Sequence, residues 1–160
     1  MFNIFNNKQL DLEKVNKLFE SATELPEEVY FAAIETAKTS KEKRIMLLAE
    51  FHRSFLNGGF AGAFSYYIDD AQRVISYYRK YKLTQYADII TSAYWALRQG
   101  SIARPLSYEA LSEKMAPFDE EYLALCYANE TNDELEIALC HEFAKSPNDY
   151  FNILSSALEG

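Results

Sequence analysis

The residues of this chain that could do chemistry are few and scattered. Three of its five glycines, Gly58, Gly59 and Gly62, fall in the stretch SFLNGGFAGAF from Ser54 to Phe64. A glycine-rich loop can cradle phosphate, but a P-loop needs Lys and Ser or Thr after its last glycine, and a dinucleotide fingerprint follows a strand. Here the glycines follow a helical pattern, and Phe60 and Ala61 stand where charge would help. Metal chemistry has no local spelling either. His52 and His141 are far apart, and Cys126 and Cys140 lack partners at zinc-finger spacing. The adjacent Cys140 and His141 would point about 100° apart on a helix. No Gly-x-Ser-x-Gly elbow is present. The pairs Glu109/Glu113 and Glu130/Glu134 have i,i+4 spacing, which marks a solvated helix face. No catalytic residue, cofactor or metal is therefore expected.

Two surfaces remain as candidates for binding. Tyr66, Tyr67, Tyr77, Tyr78, Tyr81, Tyr86, Tyr94 and Trp95 are interleaved with Arg73, Arg79, Lys80 and Lys82, as on a single-strand nucleic-acid platform. The plainer reading is of tyrosines lining helix contacts and arginines pairing with acids. The other candidate is acidic: from Met115 to Ala144 there are eight carboxylates and no Lys or Arg. Asp119, Glu120, Glu121, Asp133 and Glu134 fit the first turns of helices, where carboxylates oppose the helix dipole. Glu130, Glu136 and Glu142 have no such local reason. Asp119, Glu120, Glu121, Glu130, Asp133, Glu134 and Glu136 are the candidate partner-binding set, each a negative charge for a Lys or Arg opposite.

The elements that would position these residues are helical throughout. Leu12, Val15, Leu18 and Phe19 form one stripe behind Asp11 as N-cap. Pro26 opens a helix to about Lys38, and Ser40 caps the next, in which Ile45, Leu48, Phe51 and Phe55 recur at helical steps. Asn57 and Gly58 tolerate the left-handed conformation that ends a helix. Gly59 and Gly62 would then share a face of a following short helix and admit a close neighbour, with Phe60 anchored in the core. Asp69 or Asp70 and Thr84 open two further helices, and Gly100 closes the second. Pro105, Pro117 and Pro147 punctuate the remainder, predicting helices at 108–115, 119–128, 133–145 and 147–158. Nothing alternates with period two. The expected class is all-α, about seven to nine helices in a single domain over residues 1–160.

Bulk properties narrow the setting. The 160 residues are 49% hydrophobic and 15% aromatic, ample for a packed core. No signal peptide or membrane span is expected, and the two cysteines, Cys126 and Cys140, fit a reducing, cytoplasmic compartment better than a disulfide scaffold. The net charge of -8 is uneven, at -3 over residues 1–40, +4 over 41–100 and -9 over 101–160. An acidic chain of this kind does not bind nucleic acid directly, which needs a basic footprint. It suits a basic protein partner.

The order of landmarks carries a resemblance. LPEEVYFAAIETAKTS leads into AEFHRSFLNGGFAGAFSYY and AQRVISYYRKYKLTQYADIITSAYWAL, then FDEEYLAL and LEIALCHEFAKSPNDYF. Over residues 25–155, behind an N-terminal helix at 1–24, the chain resembles the small acidic helical family named after DNA-mimic protein nineteen. Asn57-Gly58-Gly59-Phe60 matches its core motif, and Phe118-Asp119 and Pro147-Asn148-Asp149-Tyr150-Phe151 match later landmarks. Gly62 stands where the pattern usually has Gln, and Tyr66 where Asn is common. The resemblance implies a non-enzymatic protein presenting carboxylates where DNA presents phosphates, so occupying a DNA-binding protein. Acidic charge also fits an immunity-type neutraliser that plugs the basic active site of a toxin or effector enzyme. A third reading is a ligand or catalytic pocket around His52, Asn57 and the tyrosines. A homodimer would lengthen any acidic surface.

Overall fold

The computed structural model describes residues 9–99, 106–129 and 132–159. These residues hold eight α-helices and no strand: α1 Leu12–Phe19, α2 Glu27–Thr36, α3 Ser40–Tyr67, α4 Ala71–Lys80, α5 Thr84–Gln99, α6 Tyr108–Cys126, α7 Glu134–Lys145 and α8 Phe151–Glu159. The all-α class thus stands. Short 3-10 turns at Ile68–Asp70 and Pro147–Tyr150 lead into α4 and α8. No helix among the described residues is long and apolar enough to cross a membrane. The chain groups into two compact units, one made of Met1–Met46 and Glu136–Gly160, the other of Leu47–Leu135.

In the first unit α8 packs mainly against α2 and also touches α1. Val15, Leu25, Val29, Ile45, Leu139, Phe143, Tyr150, Ile153 and Leu154 are buried. Phe143 stacks on Phe19 at 5.8 Å and meets Tyr150 edge-on at 4.8 Å. Helix ends are spelled locally. Asp11 accepts from the amides of Glu13 and Lys14. At α3 the cap is Thr39 and not Ser40, which is already helical. Thr39 Oγ1 accepts from Glu42 N at 3.1 Å, and Glu42 Oε1 accepts from Thr39 N at 3.2 Å, a reciprocal capping box. Ser146 and Pro147 hold the expected cap and first positions, but the turn they start is 3-10 and the Ser146 side chain makes no capping bond.

Glu42 does more than close a box. Its carboxylate is fully buried and also accepts from Lys38 N at 3.2 Å, Asn152 Nδ2 at 2.8 Å and Ile153 N at 3.1 Å. Burial pushes its pKa upward, but the bonds from Asn152 and from the Thr39, Ile153 and Lys38 amides outweigh it and hold the group below its ordinary value.

In the second unit the later part of α3 is followed by α4, α5 and α6, with α5 packed on both α4 and α6. Ala71, Val74 and Tyr78 face inward from α4, and Ala87, Ile90 and Ala93 from α5. Lys82, at φ 64°, makes the left-handed turn between α4 and α5. The expected glycine cap at Gly100 and the Pro105 break lie outside the described residues. Pro117 does not end a helix: α6 runs through it from Tyr108 to Cys126. Met115 and Tyr122, wholly buried on either side, anchor both turns and outweigh the bond that proline removes. Asp119, Glu120 and Glu121 therefore sit in mid-helix, and a first-turn dipole role does not apply to them.

Candidate functional site

The glycines break α3. Gly58 has φ -155° and ψ 21°, Gly59 φ 63° and ψ -164°, so the left-handed residue is Gly59 and not Asn57 or Gly58. Glu50 and Phe51 would lie about 25 Å from Tyr67 in an unbroken helix. Instead Tyr67 Oη donates to Glu50 Oε2 at 3.2 Å, and the Phe51 and Tyr67 rings meet at 6.3 Å. The second half of α3 thus folds back along the first. Gly62 sits where the two halves meet, and a Cβ there would make only an ordinary contact, 3.4 Å from the Ser54 carbonyl oxygen. Gly59 serves a different neighbour from the one expected. It faces the Asp119 carboxylate, and Asp119 Oδ1 accepts from Phe60 N at 2.9 Å.

That bond gives the restarted helix its cap. A helix start leaves amides without intrahelical partners, and Asp119 on α6 supplies the acceptor that an N-cap side chain ordinarily would. Burial raises the Asp119 pKa, and the Phe60 amide offsets this only in part. Phe60 is fully buried among Phe51, Phe55, Phe64 and Tyr122. Asn57 stays exposed and lines a surface cleft of about 470 Å³ with Ser54, Gly58, Gly62, Ser65, Tyr66 and Tyr108. Tyr108 Oη donates to the Gly58 carbonyl at 3.4 Å.

Beneath the break runs a buried polar chain. His52 Nε2 meets Asp133 Oδ2 at 2.6 Å, His52 Nδ1 meets Tyr122 Oη at 3.0 Å, and Tyr122 Oη meets Tyr78 Oη at 2.8 Å. Burial drives both tyrosine pKa values well above their ordinary range, so the phenols stay protonated. Cys126, also buried, brings its sulfur within 4.8 Å of donor atoms of His52 and Asp133. His52 is thus a buried core residue against the Tyr122 ring, and the cleft beside Asn57 is lined without it. Tyr122→Phe should remove about 2–3 kcal/mol of stability, because His52 Nδ1 and the Tyr78 hydroxyl both lose a buried partner. Urea unfolding would show this as a lower midpoint at unchanged slope.

The acidic set divides. Asp133 and Glu136 are buried, the first against His52, the second accepting from Leu25 N at 2.8 Å. Their charge is consumed inside the protein and does not reach a surface. Asp119 is half-buried at the break. Glu134 is half-buried too and accepts from Asn129 Nδ2. Glu120 and Glu121 are exposed on α6, while Glu130 lies outside the described residues. Glu109 and Glu113, the i,i+4 pair, are also exposed on α6. Helical geometry puts Glu109, Glu113 and Glu120 within about 40° of one another around the axis and about 16 Å from end to end.

A family model described as DMP19-like protein matches residues 36–146. The chain belongs to the DMP19-like family. Compared with curated proteins and with solved structures, it finds no match in either. The matched region of this DMP19-like chain takes in the Asn-Gly-Gly-Phe break, its Asp119 cap and the His52–Asp133 pair. Two landmarks of the sequence, Asn57–Phe60 and Phe118-Asp119, prove to be one structural joint. The pairing of His52 with Asp133 and Cys126 was missed, since partners 81 and 74 residues away leave no spacing to read.

Proposed function

We propose that this DMP19-like chain is a non-catalytic acidic binding protein. It engages a basic protein, foremost a DNA-binding one, through outward carboxylates of α6. The observation that carries this reading is the exposed stripe of Glu109, Glu113 and Glu120, with Glu121 beside it and Lys114 the one base on the helix. The net charge of -8 adds long-range attraction for a basic partner. Duplex DNA carries about one charge per 3.4 Å of axis on each strand. Steps of about 6 and 10 Å between α6 acids are sparser, so DNA mimicry needs this helix to act with other carboxylates.

The test is a tagged pull-down from host lysate, washed with rising salt and competed with duplex DNA. The wild-type chain should capture a basic DNA-binding protein that salt releases and DNA displaces. The quadruple variant Glu109→Gln, Glu113→Gln, Glu120→Gln, Glu121→Gln should lose that capture while its helical circular dichroism is unchanged. Capture that survives these substitutions, or resists salt, overturns the reading.

A further inference from the structure

The chain of hydrogen bonds under α6 ends in a donor set of another kind. His52 comes from α3, Cys126 from the last turn of α6, and Asp133 immediately precedes α7. All three are buried, and one imidazole nitrogen, one sulfur and one carboxylate oxygen lie within 4.8 Å of one another. We propose that His52 Nε2, Cys126 Sγ and Asp133 Oδ2 form a binding site for a divalent transition metal, zinc by preference. The inference stands independently of the partner proposed above.

Three arguments converge. The first is donor type. A mixed nitrogen, sulfur and oxygen set suits zinc and its neighbours, whereas magnesium and calcium take oxygen. The second is charge. A neutral imidazole, a thiolate and a carboxylate sum to -2, which cancels a divalent cation and leaves a neutral cluster in an enclosed place. The third is support around the ligands. Metal-bound histidines generally engage their other nitrogen in a hydrogen bond, and His52 Nδ1 already meets Tyr122 Oη, which meets Tyr78 Oη.

Ion entry is balanced in protons. Before the ion enters, a neutral imidazole with its proton on Nε2 would donate to Asp133, with Tyr122 donating to Nδ1 and Cys126 present as the thiol. With metal, Nε2, Sγ and Oδ2 bind the ion and the imidazole carries its proton on Nδ1, donating to Tyr122 Oη. Tyr122 then donates towards Tyr78. One proton, that of the thiol, leaves for solvent. Three protein donors leave the fourth tetrahedral place to a water.

Cobalt(II) is the probe, since a Co–thiolate bond gives a near-ultraviolet charge-transfer band. Chelator-stripped protein titrated with cobalt chloride should develop the band to an end point of one equivalent. Cys126→Ser should abolish the band, and Cys140→Ser, which removes the other buried thiol, should retain it. Asp133→Asn keeps the shape of the side chain and should weaken cobalt binding at least about tenfold. Because a core variant can fail to fold, the unmutated protein is also melted with zinc. A hundredfold excess over Kd should raise Tm by about 5–10 °C. Absence of both the band and the shift in the wild-type protein, or a band lost in Cys140→Ser and kept in Cys126→Ser, overturns the site.

Discussion

Replacing Glu42 with alanine should lower the unfolding free energy by about 3–5 kcal/mol, measured by urea titration at neutral pH. The carboxylate accepts from three backbone amides, those of Lys38, Thr39 and Ile153, and from the Asn152 amide. Removing it strands the buried Ile153 amide at about 1–3 kcal/mol and opens the α3 cap at about 1 kcal/mol more, while the partly exposed Asn152, Lys38 and Thr39 donors recover part of their loss from water. Glu42→Gln separates charge from shape. The carbonyl oxygen keeps the bonds now made to Oε1, but the new NH2 faces the Ile153 amide, donor against donor, and about 2 kcal/mol should be lost. The pH dependence follows from the same geometry. The folded group titrates below its ordinary value of 4.5, so its contribution is complete above that value and disappears as pH falls through the lower folded one. Glu42→Gln should flatten this acid limb. A variant as stable as wild type, with an unaltered acid limb, would show that the four donors find other acceptors.

The second large effect is expected at Gly59. Its φ of 63° and ψ of -164° lie in a region essentially closed to other residues, at about 1–3 kcal/mol of strain. A Cβ there would also stand 2.5 Å from Asp119 Oδ2, so the carboxylate must move and release the Phe60 amide. Gly59→Ala should therefore cost about 3 kcal/mol or more. Gly58→Ala is the internal control. Its φ of -155° is open to any residue, and the atom a Cβ would meet, Tyr108 Oη at 3.0 Å, is the end of an exposed side chain that can shift at the cost of its long bond to the Gly58 carbonyl. A loss below about 1 kcal/mol is expected there. Equal losses at the two glycines would refute the assignment of Gly59 as the hinge.

These two sites show what kind of information a sequence holds in the open. The capping box is written within four residues, Thr39 to Glu42, yet two neighbouring hydroxyls compete for the cap, and the pattern alone favoured Ser40. What Asn152 and Ile153 add to Glu42 lies 110 residues further on and is invisible locally. Apolar periodicity located the helices well because burial of Val15, Phe51 or Val74 needs only the helical repeat. Proline misled at Pro117, since a local penalty of about 3 kcal/mol is outweighed by Met115 and Tyr122 on either side. The acids were harder still. Asp133 stands where a helix-start carboxylate belongs, but its direction is set by His52, and Glu136 is drawn inward by the Leu25 amide. A count of acids does not tell a surface charge from an internal strut. Only the exposure of the α6 stripe does.

The Phe60–Asp119 bond has a consequence for how the polypeptide is made. A ribosome delivers the chain from its amino end, so Phe60, just after the turn at Gly58 and Gly59, emerges 59 residues before the acceptor that secures it. Until α6 is complete, the helix beginning at Phe60 has an open first turn, and Phe60 lacks the Tyr122 ring it closes upon. The nascent hairpin of α3 is therefore provisional. It becomes permanent late, in the step that also brings Tyr122 to His52. Synthesis halted before residue 119 should leave a protease-sensitive intermediate, nicked at the glycines, and synthesis carried past Tyr122 should close it.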